Sequence, residues 1–381
     1  MKWVTNWANA ISIATNKPEQ YTKNITLRYP ILSVFDGKKV RLTFDNFTGK
    51  EEVTFTKVTI AKTGEKKEEI LPETLKVVTF NGESSLTLGA GKTVQSDEIE
   101  FETSKNQFFT INIYFKDFTS LRAATTTLGP LSKFFYSLED QSEAASLPME
   151  LYKGTEWVYF LSDIEIYTED SNKSIVCFGD SITAQDWPEY LQLDGLQEGY
   201  NVSFPRKAAS GARILREYHS VLYESYGLKS DTRFVHDMNV QGCDTVIVLE
   251  GINDIIHPVG VEKNPYRPWS DLPTAKEVIE GYRVLIKMAR ERGLKIYFGT
   301  IIPFKGWRTY ADFREDLKQE INAWIRTTDE IDGYIDFDKD LDDNNAFQAI
   351  YDSGDHLHPS KQGYQQMAKT ALAALKEYKE L

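Results

Sequence analysis

The sequence predicts two domains of different class. Residues 1–170 read as an antiparallel β-sandwich of jelly-roll type, and residues 171–381 as a three-layer α/β/α sandwich on a parallel sheet. Three observations predict this. The chain has 381 residues, more than one core commonly serves. From residue 24 to about 168 apolar side chains recur at every second position. After residue 173 short continuous apolar runs alternate with segments of helical spacing.

Val40-Arg41-Leu42-Thr43-Phe44, Val53-Thr54-Phe55-Thr56, Val58-Thr59-Ile60 and Phe109-Thr110-Ile111-Asn112-Ile113 alternate as half-buried strands do. Asp36-Gly37, Thr48-Gly49, Asn81-Gly82 and Gly89-Ala90-Gly91 carry the turn chemistry between them. Residues 120–154 are less regular and read as a long loop reaching over the neighbouring domain or a surface excursion, and 157–167 as a last strand. Such a domain can bind carbohydrate or act as a scaffold or lid; no aromatic cluster forces the binding reading. The polar run Glu169-Asp170-Ser171-Asn172-Lys173 marks the boundary.

Ser174-Ile175-Val176-Cys177-Phe178 then predicts a buried strand that stops at Gly179-Asp180-Ser181. Ser181 and Thr183 can cap the helix that follows, and Pro188 suits a first turn. Residues 245–249 are a strand buried on both faces, 295–300 and 333–337 further strands, and 275–292, 313–325 and 361–378 helices. Strand–loop–helix repetition implies a parallel sheet with right-handed crossovers, whose carboxyl edge is where such folds hold ligands.

The charge balance is 44 basic against 57 acidic residues, net −13, which argues against nucleic acid or an anionic membrane surface as partner and suits a neutral, small-molecule or oligosaccharide substrate. No run of about 18 apolar residues predicts a membrane span, and the polar, interrupted N-terminus lacks a signal-peptide core, so the expectation is a cytoplasmic protein. Cys177 and Cys243 each sit beside or within an apolar run and read as buried reduced thiols. No Gly-x-Gly-x-x-Gly and no phosphate loop occurs, and no second His/acid cluster accompanies Asp355-His356-Leu357-His358, so neither cofactor nor metal is expected. Oligomeric state is not encoded in any pattern found.

Four stretches would meet at the carboxyl edge: the turn at Ser181, Ala208-Ala209-Ser210-Gly211-Ala212-Arg213, Glu250-Gly251-Ile252-Asn253-Asp254, and residues 352–359. Each residue has a bland reading alone: Ser181 or Asn253 as a cap, Gly211 as a loop glycine, Asp355 and His358 as a solvated turn. Together they supply what acyl transfer by serine requires. Ser181 is a nucleophile, His358 or His356 a base, and Asp355 an orienting carboxylate. The N–H groups of Ser181 and Gly211 and the Asn253 amide are donors for an oxyanion.

These stretches resemble blocks I, II, III and V of the SGNH, or GDSL-type, hydrolases. The resemblance covers residues 174 to about 375. It places the family's Ser, Gly, Asn and His on Ser181, Gly211, Asn253 and His358, with its Asp-x-x-His on Asp355 and His358. Block I reads Gly-Asp-Ser-Ile, and Lys207-Ala208-Ala209 stands where Asn and Gly often precede the block II glycine. Residues 91–97 extend the likeness to a two-domain bacterial subgroup similar to esterases that deacetylate plant polysaccharides. The resemblance thus implies a carbohydrate O-acetylesterase working through an acyl-enzyme, without metal or cofactor. Trp187, Tyr266, Trp269, Trp307 and Tyr310 are candidate sugar-facing rings, of which Trp187 and Trp307 are taken as substrate-binding. The alternatives are a lipid or thioester acylhydrolase, whose aliphatic groove the mixed polar and aromatic loops do not suggest, and a catalytically weak carbohydrate-binding protein.

Overall fold

The computed structural model describes residues 1–13, 21–217, 227–257 and 269–381. Contacts divide the chain into two compact units, Met1–Ser174 with Val240–Gly242, and Ile175–Asn239 with Cys243–Leu381.

The first unit is antiparallel. One sheet runs in the order Lys2–Ala8, Leu161–Thr168, Gly37–Asp45, Thr93–Gln95, with Ile99–Thr103 also pairing Gly37–Asp45. A second runs Tyr152–Thr155, Phe134–Leu138, Ile25–Leu32, Phe108–Phe115, Lys57–Lys62, Lys76–Val77. Register follows the period-two pattern: Ile111 sits between Tyr29 and Ile60. Val40, Leu42 and Phe44 point inward and are fully buried. The core gathers Phe44, Phe55, Phe115 and Phe160, with neighbouring ring centroids 5.0–5.6 Å apart. Such pairs each add about 0.5–1.5 kcal/mol beyond area burial.

Two expectations change here. The strand expected over 157–167 is two strands, Trp157–Tyr159 and Leu161–Thr168, because Phe160 adopts φ 63°. Its fully buried ring offsets a left-handed cost of about 1–2 kcal/mol. The irregular segment 120–154 contains the strands Ala123–Thr126, Phe134–Leu138 and Tyr152–Thr155. Its polar stretch folds back on its own sheet rather than extending outward. The buried Arg28 guanidinium donates to the carbonyls of Gln141 and Ala144 at 3.0 and 2.8 Å, to the Glu68 carbonyl, and to Asn112 Oδ1. Thr59 Oγ1 donates to the Ser142 carbonyl. Desolvation by burial pulls the guanidinium down to about 10.

The second unit is built on a six-stranded sheet in the order Val202–Ser203, Lys173–Gly179, Cys243–Leu249, Lys295–Gly299, Gly333–Ile335, with Arg206–Ala208 also on Lys173–Gly179. Its registered pairs are parallel, among them Val246 opposite Ile296 and Phe298 opposite Tyr334. Ile175, Val176, Cys177, Phe178, Val246, Ile247 and Val248 are all fully buried, as strands covered on both faces must be. The helices pack in two groups: Trp187–Gln197 against Lys361–Glu377, and Ala275–Glu291 against Ser230–Asp237 and Asp312–Thr327. Ala275–Glu291 starts from a capping box between Thr274 and Glu277. The strand expected over 333–337 ends at Ile335, where the Asp336 side chain caps the short helix Phe337–Leu341.

Candidate active site

The strand Lys173–Gly179 delivers Ser181 to the sheet's carboxyl edge. The cap is Asp180 rather than Ser181: its Oδ1 accepts the Ile182 N–H at 2.9 Å. Ser181 is therefore the first residue of the helical turn Ser181–Ala184. Its hydroxyl has no capping duty, and its N–H is one of the donors a helix start leaves without an intrahelical acceptor.

The stretch 352–359 supplies the ring. It is a closed turn, with Ser353 N–H bonded to the His358 carbonyl at 3.2 Å and Asp352 bridged to Pro359. His358 Nε2 lies 3.0 Å from Ser181 Oγ. Its Nδ1 lies 2.7 Å from Asp355 Oδ2. Asp355 Oδ1 also accepts the N–H groups of His358 and Leu357 at 2.8 and 2.9 Å. Partial burial would raise the Asp355 carboxyl, but these hydrogen bonds outweigh it and hold it down at about 2. An ionised carboxylate on Nδ1 fixes that proton there and turns the Nε2 lone pair to the serine hydroxyl. His356, the other candidate base, binds Asp352 instead, Nδ1 to Oδ2 at 2.5 Å.

The remaining stretches are laced to the same edge. Ala209 N–H donates to the Gly179 carbonyl at 3.0 Å. Ala212 N–H returns to the Ala209 carbonyl at 3.1 Å, closing a turn in which Gly211 has φ 76°. That is the third position of a turn, where a side chain is strained and glycine is not. Asn253, buried at the start of Ile252–Ile256, donates one amide hydrogen to the Ala212 carbonyl at 3.0 Å. Its second amide hydrogen has no partner among the described residues. The arrangement can deprotonate a hydroxyl, and it gathers three N–H sources on adjoining loops.

Other candidates fare differently. Trp187 is fully buried, its ring packed on Phe337 at 5.4 Å, so it offers no face to a substrate. The sequence placed it beside the nucleophile, but as first residue of the helix Trp187–Gln197 it turns into the core. Trp307 is half-buried and Tyr310 packs on Phe304 at 5.4 Å. Trp269 is 62% exposed, 6.2 Å from Phe313. Tyr266 lies outside the described residues. Among the described residues no three His, Cys, Asp or Glu side chains are grouped to hold a metal ion.

Sequence reasoning missed Arg233. From the helix Ser230–Asp237 its buried guanidinium reaches the Gly179 carbonyl at 3.1 Å, the Lys207 carbonyl at 2.9 Å, and Glu250 Oε1 at 3.3 Å. Its Nε bonds Asp237 and its plane lies 4.5 Å over Phe178. One side chain thus joins the backbone or side chains just ahead of Ser181, Gly211 and Asn253. A buried arginine at helical spacing gave no sequence signal, because its partners lie 54, 26 and 17 positions away.

Three carboxyls are buried on these loops, Asp180, Glu250 and Asp254. Desolvation pushes Asp180 up to about 8, Glu250 to about 7 and Asp254 to about 6, despite the pull of Arg233 on the first two and of the Ile214 and Leu215 N–H groups on the third. Raised carboxyls hold protons in the folded chain that the unfolded chain has lost above about pH 4. Their contribution to stability is therefore complete below that pH and declines until about pH 8. Thermal melts between pH 5 and 9 should show Tm falling with pH. Asp180→Asn, which keeps the cap, should flatten the slope; an unchanged slope would mean Asp180 is ionised throughout.

Residues 177–366 match the model of the GDSL-like lipase/acylhydrolase family. No curated protein sequence matches the chain. Among solved structures, a GDSL-like lipase from Bacteroides thetaiotaomicron is 18% identical over 54% of this chain and 88% of that one, TM-score 0.39. A member of the lipolytic G-D-S-L family from Veillonella parvula is 18% identical over 54% and 98%, TM-score 0.38. An acetyl xylan esterase is 18% identical over 53% and 99%, TM-score 0.38. Through the segment 177–366, this chain belongs to the GDSL-like, or SGNH, family of lipases and acylhydrolases.

Proposed function

We propose that the protein is a serine esterase that removes short acyl groups, acetyl above all, from carbohydrate esters. The observation that carries the chemistry is the relay Ser181 Oγ–His358 Nε2–His358 Nδ1–Asp355 Oδ2, with spacings of 3.0 and 2.7 Å across its two hydrogen bonds.

His358 Nε2 takes the Ser181 proton as Oγ bonds the ester carbon, and the carbonyl oxygen becomes an oxyanion. The N–H groups of Ser181 and Gly211 and the free hydrogen of the Asn253 amide are the donors assigned to that oxyanion. Each such donor is worth about 3–4 kcal/mol of barrier. Collapse breaks the bond to the alcohol oxygen, which leaves with the proton from His358. A water then gives a proton to His358 and attacks the acyl-serine, and collapse releases the acid and restores the Ser181 hydroxyl. Asp355 keeps the imidazole oriented and stabilises its cationic form.

The acetyl-carbohydrate assignment rests on the mixed polar and aromatic loops at the carboxyl edge. The stretch 302–312 holds Trp307, Arg308 and Tyr310, and Trp269 stands exposed beside Phe313. Flat rings with polar neighbours suit sugar faces better than acyl chains. A series of nitrophenyl esters from C2 to C12, with acetate release from acetylated xylo- or manno-oligosaccharides alongside, tests this. We expect kcat/KM to fall at least tenfold beyond C4 and acetate to be released. A long-chain preference without acetate release assigns the protein to the lipid or thioester acylhydrolases instead.

A further inference from the structure

We propose that His356, held by Asp352, binds the alcohol side of the substrate, a sugar hydroxyl next to the scissile ester; this rests on the function proposed above. The turn that carries His358 carries a second Asp–His pair. His356 Nδ1 lies 2.5 Å from Asp352 Oδ2, while Asp352 Oδ1 accepts the N–H groups of Gly354 and His356 at 2.8 and 3.1 Å. Nδ1–H donates to the carboxylate, and Nε2 is left with no partner among the described residues.

The backbone makes this residue costly. His356 has φ 63°, the left-handed region that glycine occupies freely and a β-carbon disfavours. The imidazole is 50% exposed, so core packing does not offset that cost. Gly306 yields space to it: that residue has φ 105°, and a β-carbon there would lie 2.8 Å from the His356 Cγ. The residue after Gly306 is the half-buried Trp307. His356 also stands two residues from His358, so their α-carbons are no more than about 7 Å apart. An exposed imidazole of fixed orientation is thus kept in a strained position, against a glycine, beside the base. Strain retained next to reacting groups points to a role in binding rather than in folding. A neutral Nε2 accepts a hydroxyl hydrogen and a protonated one donates to a hydroxyl oxygen, so either form recognises a sugar.

The test compares kcat/KM on acetylated xylo-oligosaccharide with kcat/KM on nitrophenyl acetate, whose leaving group has no sugar hydroxyls. His356→Gly relieves the strain and His356→Ala does not, so the two differ in Tm while both lack the ring. We expect the carbohydrate-to-nitrophenyl ratio to fall about tenfold in both, as for loss of one hydrogen bond of about 1.4 kcal/mol. An unchanged ratio in both, with a wild type that releases acetate, overturns the inference and leaves the esterase reading standing. A ratio that falls only in the less stable variant also overturns it, because the loss then follows folding. A wild type that releases no acetate from carbohydrate removes the reading itself, and this role with it.

Discussion

Replacing Ser181 with alanine lowers kcat by about 100,000-fold or more, leaving only what binding and the N–H donors supply. His358→Ala gives a loss of similar size, and the double variant is little worse than either, because the two groups act in one proton transfer. The basis is the 3.0 Å contact between Ser181 Oγ and His358 Nε2. Asp355→Asn keeps the shape but can favour the wrong ring tautomer, at a cost of about 10,000-fold. Steady-state kinetics on nitrophenyl acetate check all three. Residual activity above one per cent in Ser181→Ala would assign the nucleophile elsewhere.

Arg233→Met produces the second large effect, and its signature differs. The variant takes the guanidinium from the carbonyls of Gly179 and Lys207 and leaves Glu250 and Asp237 without their guanidinium partner. Removing one partner of a buried ion pair costs about 3–5 kcal/mol of stability. The catalytic consequence is separate. Gly179, Lys207 and Glu250 precede the residues that carry the three oxyanion donors, so loosening them misplaces donors that need position within a few tenths of an ångström. We expect kcat per folded molecule to fall about 100-fold with KM changed less than threefold. Adding Glu250→Gln and Asp237→Asn to Arg233→Met removes both uncompensated charges and should restore most of the Tm but little of kcat. Recovery of both together would mean that Arg233 supports only folding.

Much of the second unit was legible because its signals are local. Continuous runs such as residues 245–249 mark strands covered on both faces, and helical spacing marks 275–292 and 313–325 to within one or two residues. The four loops could be ordered along the sheet edge from the strands before them. The ambiguity between His356 and His358 could not be resolved that way, since both follow an aspartate within a single turn. It is resolved by the partners each ring meets: His358 lies between Ser181 Oγ and Asp355, and His356 binds Asp352. Trp187 was misjudged for a related reason. Proximity to Ser181 in sequence says nothing of which face of Trp187–Gln197 it joins, and its partner Phe337 lies 150 positions on. Arg28 and Arg233 were invisible because each binds backbone carbonyls from distant segments, and carbonyls have no sequence signature. The insertion of Val240–Gly242 into the first unit was missed for the same reason. It rests on Thr5 N–H bonded to the Gln241 carbonyl at 3.0 Å, and Ser174 N–H bonded to that of Gly242 at 2.9 Å.

The most direct measurement is covalent labelling with a serine-reactive fluorophosphonate, read by intact mass and then by peptide mapping. A serine activated by His358 predicts one adduct per chain, on the peptide containing Ser181. That adduct should be absent in Ser181→Ala and form at least 1,000-fold more slowly in His358→Ala. A single adduct on another residue, or labelling at the same rate without the imidazole, would contradict it.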